Sequence, residues 1–318
     1  MTDSTDDQQD RIDTEAAEWV IRLGGGKLKP EEKQAFATWR SASPRHEAAF
    51  QRASSLWSDL DVGSREKKAR HRRTATHVTT AGIAGLFVLG LGIGTGWVEP
   101  GRWLADYTTP VGEIHTVHLA DGSIAVMDSH TALSVRYTAS ERRIVLIDGD
   151  AWFRVAPLGA TEHRPFVVEA VRGTSTALGT QFMVERDPDG VRTTVTEHSV
   201  RVVTRPPDGL THSVVVAEGQ SVRYGRDGSL DTPQAAPIAA ITAWRSGQLV
   251  FDNEPLSEVI ARLNRYRRGR IMLMGARIRD RRVSGVFSCS DIDGAVSSIT
   301  RQLALRSVSV AGLATIIY

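Results

Sequence analysis

Val78–Val98 reads VTTAGIAGLFVLGLGIGTGWV and contains no Asp, Glu, Lys, Arg, Asn, Gln or Pro. As a helix, about 21 residues at about 1.5 Å each extend about 31 Å, close to the hydrocarbon thickness of a bilayer. The stretch predicts one membrane-spanning helix over 78–98. Immediately before it, Arg65, Lys67, Lys68, Arg70, Arg72 and Arg73 face a single acid, Glu66, while Glu99, Pro100, Gly101 and Arg102 follow. Positive flanks are retained in the cytoplasm, so this orientation keeps the N-terminal part inside and sends the remainder across.

Other readings of the stretch have specific weaknesses. A cleaved signal peptide has a shorter apolar run near the chain start, whereas this one begins at residue 78. A buried core helix conflicts with the length and the basic flank. Arg72-Arg73 lacks the bulky apolar pair that usually follows in a twin-arginine export signal, and that route would leave the orientation unchanged. Gly90, Gly92, Gly94 and Gly96 provide small-residue spacings that let helices approach closely.

The remaining length suffices for two or three domains among 318 residues. The net charge of +2 conceals local asymmetry: residues 1–18 hold seven acids and one base, whereas Arg262–Arg282 holds nine arginines and the single acid Asp280. A nucleic-acid reading from overall basicity is therefore unsafe. Cys289 is the only cysteine, so no intramolecular disulfide can form.

Residues 1–12 are acidic and poor in apolar side chains, and are expected to be a disordered tail. Over 13–61 three short helices are expected. Ala16, Ala17, Trp19, Val20 and Leu23 recur at helical spacing until Gly24-Gly25-Gly26 interrupts them. Pro30 with Glu31 and Glu32 opens the second helix, which places Phe36 and Trp39 on one face. Ser43-Pro44 opens the third, with Ala49, Phe50, Ala53, Leu56 and Trp57 along one side. So small a bundle buries little surface, and its large aromatics either make the core or leave a face free for a partner. A basic linker occupies 62–77.

Beyond the apolar run, 107–225 reads as β structure. Val117, Leu119, Ile124 and Val126 alternate around Ala120-Asp121-Gly122, and Asp-Gly pairs at 148, 189, 208 and 227 punctuate later strands. Residues 226–243, with Pro233 and Pro237, read as a linker. From 244 to 318 the pattern becomes β-α-β-β-α-β-β, a small α+β domain. Its first helix carries Leu256, Val259, Ile260 and Leu263 on one face.

These motifs together carry a resemblance. EAAEWVIRL, EEKQAFATWR, SPRHEAAF and SLWSDL resemble the cytoplasmic region of the FecR family of membrane-bound sigma-factor regulators. VGEIHTVHLADGS, RRIVLIDGDAWFRVAP, RPFVVEA, ALGTQFMV and AWRSGQLVFDNEPLSEVIARLNRY continue the resemblance in the same order. It implies a multidomain chain: an all-α N-terminal bundle, one transmembrane helix, an all-β FecR-type domain, and a C-terminal α+β domain similar to the short secretin-and-TonB N-terminal module. It further implies a single-pass inner-membrane protein with its N-terminus cytoplasmic and its C-terminus periplasmic.

The implied partners are an extracytoplasmic-function sigma factor inside and, outside, the signalling domain of a TonB-dependent outer-membrane transporter. Uptake of an iron complex is the implied input, and site proteases the implied release route. Trp19, Phe36, Trp39, Phe50 and Trp57 are the expected sigma-facing residues. Leu256, Ile260 and Leu263 with Arg265, Arg267 and Arg268 are the expected transporter-facing ones. The other reading of the arginines is a solvated helix end, or a surface for anionic lipid. A membrane-anchored periplasmic ligand-binding module without sigma control is the alternative for the whole chain.

No catalytic constellation, cofactor or metal site is expected. Asp128-Ser129-His130 has the residue types of a triad, but neighbours on an extended chain point to opposite faces. His115 and His118 share that problem as a metal pair. One bond is singled out: Gly179-Thr180 places a hydroxyl directly after glycine. A strained turn there would let the Thr180 oxygen attack the Gly179 carbonyl, and self-cleavage at a Gly-Thr bond is known in the family this chain resembles. The other reading is a glycine that permits a tight turn, followed by a strand residue.

Overall fold

The computed structural model describes residues 8, 11–12, 15–16, 19–20, 23, 30–52, 54, 100–159, 162–177, 179–207, 209–310 and 314–318. The chain divides into two compact units. The larger comprises 77–250 with 286–290; the other collects 1–76, 251–285 and 291–318.

Among the N-terminal residues, α1 (Pro30–Ser41) begins with Pro30 and the acids Glu31 and Glu32, which suit the positive end of the helix dipole, and ends with Arg40. A bend at Ala42 separates it from α2 (44–52), where Ser43 precedes Pro44 and its hydroxyl lies 2.8 Å from His46 Nδ1. Ile12, Ala16, Val20 and Ala49 are buried together. Trp57 and the basic stretch 62–77 lie outside the described residues.

The architecture expected around a single membrane-spanning helix is corrected. No helix among the described residues is long and apolar enough to cross a membrane. At 12 residues α1 spans only about 18 Å, and its apolar side chains share the helix surface with charged ones. Val78–Val98 lies outside the described residues.

The larger unit is built from thirteen strands. These are β1 (Tyr107–Thr108), β2 (His115–His118), β3 (Ile124–Met127), β4 (Ala132–Tyr137), β5 (Arg142–Arg154), β6 (Phe166–Ala170) and β7 (Gly173–Ala177). They continue as β8 (Gln181–Asp187), β9 (Gly190–Glu197), β10 (Ser199–Thr204), β11 (His212–Ala217), β12 (Gln220–Gly225) and β13 (Gln234–Ala235). The long strand β5 belongs to two sheet halves. Its first part pairs with β4 antiparallel and β6 parallel; its second part, from Gly149, pairs with β3 and β8.

The switch occurs at Gly149, whose φ is +82°. A Cβ there would stand 2.4 Å from Thr131 Oγ1 and 2.6 Å from Thr131 Cα, so only glycine fits this corner. Period-two alternation then directs Ile144, Leu146, Ala151 and Phe153 into the core. The Phe153 ring packs at a tilt against Phe166 of one half, with centroids 5.7 Å apart, and against Phe182 of the other at 5.5 Å, tying the halves at the centre.

A buried polar network lies beside this core. Arg142 donates to Asp121 Oδ2 at 2.8 Å, and both side chains are fully buried. Arg142 also donates to the carbonyls of Arg164 and Ala156, while Asp121 accepts from Ser123 and from the Tyr137 hydroxyl at 2.9 Å. Burial pushes the Asp121 carboxyl up, but the hydrogen bonds from Ser123, Tyr137 and Arg142 outweigh it and hold the group below its ordinary value. The same burial and the Asp121 charge raise the Tyr137 phenol.

Residues 226–243, expected as a linker, are built into this unit. Gln234–Ala235 pairs with β12, and a short helix, α3 (Ile238–Thr242), follows. Trp244 is buried and its indole N–H points at Met183 Sδ at 3.4 Å. Arg245 lies 3.5 Å over the ring of Trp152. Apolar and cation–π contacts on the outer face of β5 and β8 explain why a proline-containing, polar stretch is ordered.

The C-terminal module follows the order β14 (Gln248–Pro255), α4 (Leu256–Asn264), β15 (Arg270–Leu273), β16 (Arg282–Ser288), α5 (Ile292–Gln302), β17 (Ser307–Val310) and β18 (Ala314–Ile317). β15 pairs parallel, and β17 antiparallel, with β18. Asp291 caps α5 by accepting from the Gly294 N–H at 2.9 Å. Asn264 closes the turn after α4 with hydrogen bonds to both backbone groups of Ile271.

Candidate functional site

Two sites emerge, one on the N-terminal helices and one in the β unit. On the helices, Phe36 and Trp39 lie three residues apart on α1, and Phe50 faces them from α2. Phe36 and Phe50 centroids are 4.9 Å apart, Trp19 and Phe36 5.4 Å, and Trp39 stacks with Phe36 at 6.5 Å. His46 meets the edge of Trp39 at 5.1 Å. All four aromatics are only half-buried, so one side of the cluster packs internally while the other meets solvent. The Trp39 indole N–H donates to Glu15 at 2.5 Å.

Arg40 frames this cluster. Its guanidinium lies 5.2 Å from the Phe50 centroid and makes a two-pronged contact with Glu47, one prong at 2.7 Å. The hydrogen bond from Arg40 and a second from Gln51 hold the Glu47 carboxyl down at about 2. Sequence spacing exposes the Gln51 contact, four residues from Glu47, but not the Arg40 contact, which forms across the bend between α1 and α2. Four of the five expected sigma-facing residues are thereby brought together; Trp57 lies outside the described residues.

In the β unit, Gly179 precedes β8 with φ +117°. A Cβ at this position would lie 3.1 Å from Pro157 Cα. Thr180 is 5 % exposed, and its Oγ1 is buried with no hydrogen-bond partner among the described residues. Its carbonyl accepts from Val155 N at 3.0 Å, and the register shifts between Gln181 and Phe182. A positive-φ glycine and a buried, unsatisfied hydroxyl thus flank this peptide bond, with the register shift beginning one residue later.

Residues 105–201 match the family model described as FecR protein. The β unit therefore carries a FecR-type domain. Residues 14–56, which hold the aromatic cluster, match a second model described as a domain of unknown function, DUF4880. Two crystal structures of a candidate anti-sigma factor from Parabacteroides distasonis ATCC 8503 are similar in fold. Each is 21 % identical and covers 67 % of this chain and 97 % of that one, with TM-scores of 0.57 and 0.56. No curated protein matches the chain.

The FecR match runs from the turn before β1 into β10 and contains Gly179-Thr180. Within it, the contacts of Asp128, Ser129 and His130 run to neighbouring backbone and to Asp148. Asp128 accepts from the Ser129 N–H, Ser129 Oγ accepts from Gly112 N, and His130 turns to Asp148 at 3.2 Å. His115 meets Glu113 at 3.0 Å, and no metal-binding group occurs among the described residues.

In the C-terminal module the transporter-facing set divides. Leu256, Ile260 and Leu263 are buried in the module, so they serve its core. Arg267 is engaged by Asp293 at 3.1 Å and donates to Thr315 Oγ1 at 2.7 Å. Arg268 is exposed and Arg265 half-buried.

Proposed function

We propose that this chain is a FecR-family regulator of a sigma factor, holding an extracytoplasmic-function sigma factor against the open side of the Trp19–Phe36–Trp39–Phe50 cluster. The observation that carries the reading is the half-burial of four clustered aromatics on short helices. Such rings contribute most to an interface when they are pre-positioned and incompletely covered. The description of the Parabacteroides relative as a candidate anti-sigma factor supports the same reading. By the family resemblance, the signal reaches the chain from the signalling domain of a TonB-dependent transporter for an iron complex. Release then follows proteolysis. Exposed Arg268 after α4, and not the buried leucines, marks the surface for that input.

Co-purification of the full chain with the small sigma factors of its host tests this. Wild type retaining one of them, and Trp39→Ala losing it with helicity unchanged, is the expected result. Retention by both proteins would remove the cluster from the interface, and retention by neither would favour an anchored ligand-binding module.

A second reading rests on Thr180. We infer that the Gly179-Thr180 bond undergoes self-cleavage. The Thr180 Oγ–H adds to the Gly179 carbonyl carbon, the amide nitrogen leaves as an amine carrying that proton, and an ester links the two residues. Water then hydrolyses the ester, leaving a Gly179 carboxylate and restoring the Thr180 hydroxyl. The buried hydroxyl next to a positive-φ glycine supports it. Mass spectrometry of the purified chain is the test: two fragments meeting at this bond in wild type, and an intact Thr180→Ala, are expected. An intact wild type ends the proposal.

A further inference from the structure

The outer face of the second sheet half carries two guanidinium groups with no acid between them. Along β5, Trp152 and Arg154 are two residues apart, so their side chains leave the same face about 7 Å from one another along the strand. Register extends that face across the sheet: Arg154 lies between Ile124 on β3 and Gln181 on β8, and Trp152 between Val126 and Met183. Arg245, from the 3₁₀ turn Ala243–Ser246, lays its guanidinium 3.5 Å over the centre of the Trp152 ring. That ring is buried, and its indole N–H reaches Thr196 Oγ1 at 3.4 Å. One cation is therefore seated on a fixed aromatic platform, beside a second that stands on a rigid strand.

Both arginines are exposed, and among the described residues neither side chain makes a hydrogen bond or an ion pair. Glu197, across from Gln181 on β9, is taken by the Gln181 amide. Arg142, Arg143 and Arg164 of the same unit, by contrast, each meet a carboxylate. Burial and then the Arg154 charge lower the Arg245 guanidinium from its ordinary value, and no acid raises it again. Two like charges held side by side repel, and an anion placed between them relieves both.

We infer that Arg154 and Arg245 form a binding site for a phosphate dianion, either free phosphate or a phosphate monoester. Charge selects phosphate over a single carboxylate: a phosphate monoester carries about −1.5 to −2 at neutral pH, matching two guanidinia, whereas a carboxylate carries one charge. Geometry agrees. A guanidinium stacked on a ring through its face keeps its N–H edge free, and phosphate has enough oxygens to accept from two such forks. Because Arg245 is already held by the Trp152 ring, little side-chain freedom is lost on binding.

Calorimetric titration of the full chain with sodium phosphate and with glycerol 3-phosphate, at neutral pH and constant ionic strength, tests this. Saturable binding of at least one of them is expected. Arg154→Gln and Arg245→Gln should each weaken it about tenfold or more, with the circular dichroism spectrum unchanged. Arg245→Lys, which keeps the charge but not the fork, should also bind more weakly than wild type. Arg201→Gln, which removes an exposed arginine on β10 in the other sheet half, should bind like wild type. Tighter binding of glycerol 3-phosphate identifies the ligand as a monoester, and tighter binding of inorganic phosphate identifies free phosphate. No saturation by either at about 10 mM overturns the inference. So does binding that ignores Arg154→Gln and Arg245→Gln, or that Arg201→Gln weakens equally, since attraction to overall positive charge would then explain it.

Discussion

Removing the charge of Asp121 by Asp121→Asn is the sharpest perturbation of the β unit. The substitution preserves volume and can still accept from the Tyr137 hydroxyl, but leaves the fully buried Arg142 guanidinium without its carboxylate. Breaking a buried pair by removing one partner costs about 3–5 kcal/mol. At about 2–4 °C per kcal/mol for a unit of about 150 residues, the melting temperature should fall by about 6–20 °C. Urea unfolding followed by circular dichroism measures the loss directly, and Arg142→Met should cost a similar amount. The double variant should cost less than the two singles added, by about 1–3 kcal/mol, because the second removal deletes a charge already stranded. Acid adds a sign. The Asp121 carboxyl is held below its unfolded value, so its stabilisation is present above about pH 4 and lost as pH falls through the folded value; Asp121→Asn should lack that acid-sensitive component. An Asp121→Asn protein within about 1 kcal/mol of wild type would refute the reasoning, because a stranded buried guanidinium cannot cost so little.

Further expectations follow from single contacts. Gly149→Ala should lower the melting temperature strongly, since the new Cβ meets Thr131 backbone at 2.6 Å at a left-handed position; a melt unchanged within error would deny the sheet-switching corner. Trp244→Ala should cost about 3–5 kcal/mol in the unfolding of the β unit, and a negligible loss would return 226–250 to the status of a linker. Proton NMR should show the Glu47 carboxyl titrating near 2, so the Arg40 contact should persist well below pH 4 and fade only as pH approaches 2; a midpoint at the ordinary glutamate value would show that the Arg40 contact does not persist in solution.

Much of this architecture is visible in residue patterns. The strands of the β unit follow from alternation and Asp-Gly turns, since a half-buried strand must repeat every two residues. The C-terminal β-α-β-β-α-β-β order follows from the Leu256, Val259, Ile260, Leu263 stripe and from the matching stripe on α5. Other features depend on distant partners. Nothing local marks 226–243 as part of the β unit, because Trp244 and Arg245 find Met183 and Trp152 about sixty and ninety residues away. The Arg40–Glu47 contact needs the bend between α1 and α2, and the Asp121–Arg142 pair needs the sheet to bring two hairpins together. The resemblance placed Leu256, Ile260 and Leu263 on a docking surface, but the same stripe that predicts a helix predicts burial, which removes them from it. The membrane-spanning reading of 78–98 rested on composition, and the short, two-faced helices that the structure describes do not carry it.

The most direct measurement is the affinity of the full chain for the small sigma factors of its host, titrated by calorimetry for wild type, Trp39→Ala and Phe36→Ala. Interface hot spots cost about 2 kcal/mol or more on truncation, about thirtyfold in Kd. The account predicts saturable binding by wild type, weakened about thirtyfold or more by each substitution while helix content is retained. Binding unaffected by either substitution would contradict it, as would a folded chain that binds no sigma factor of its host.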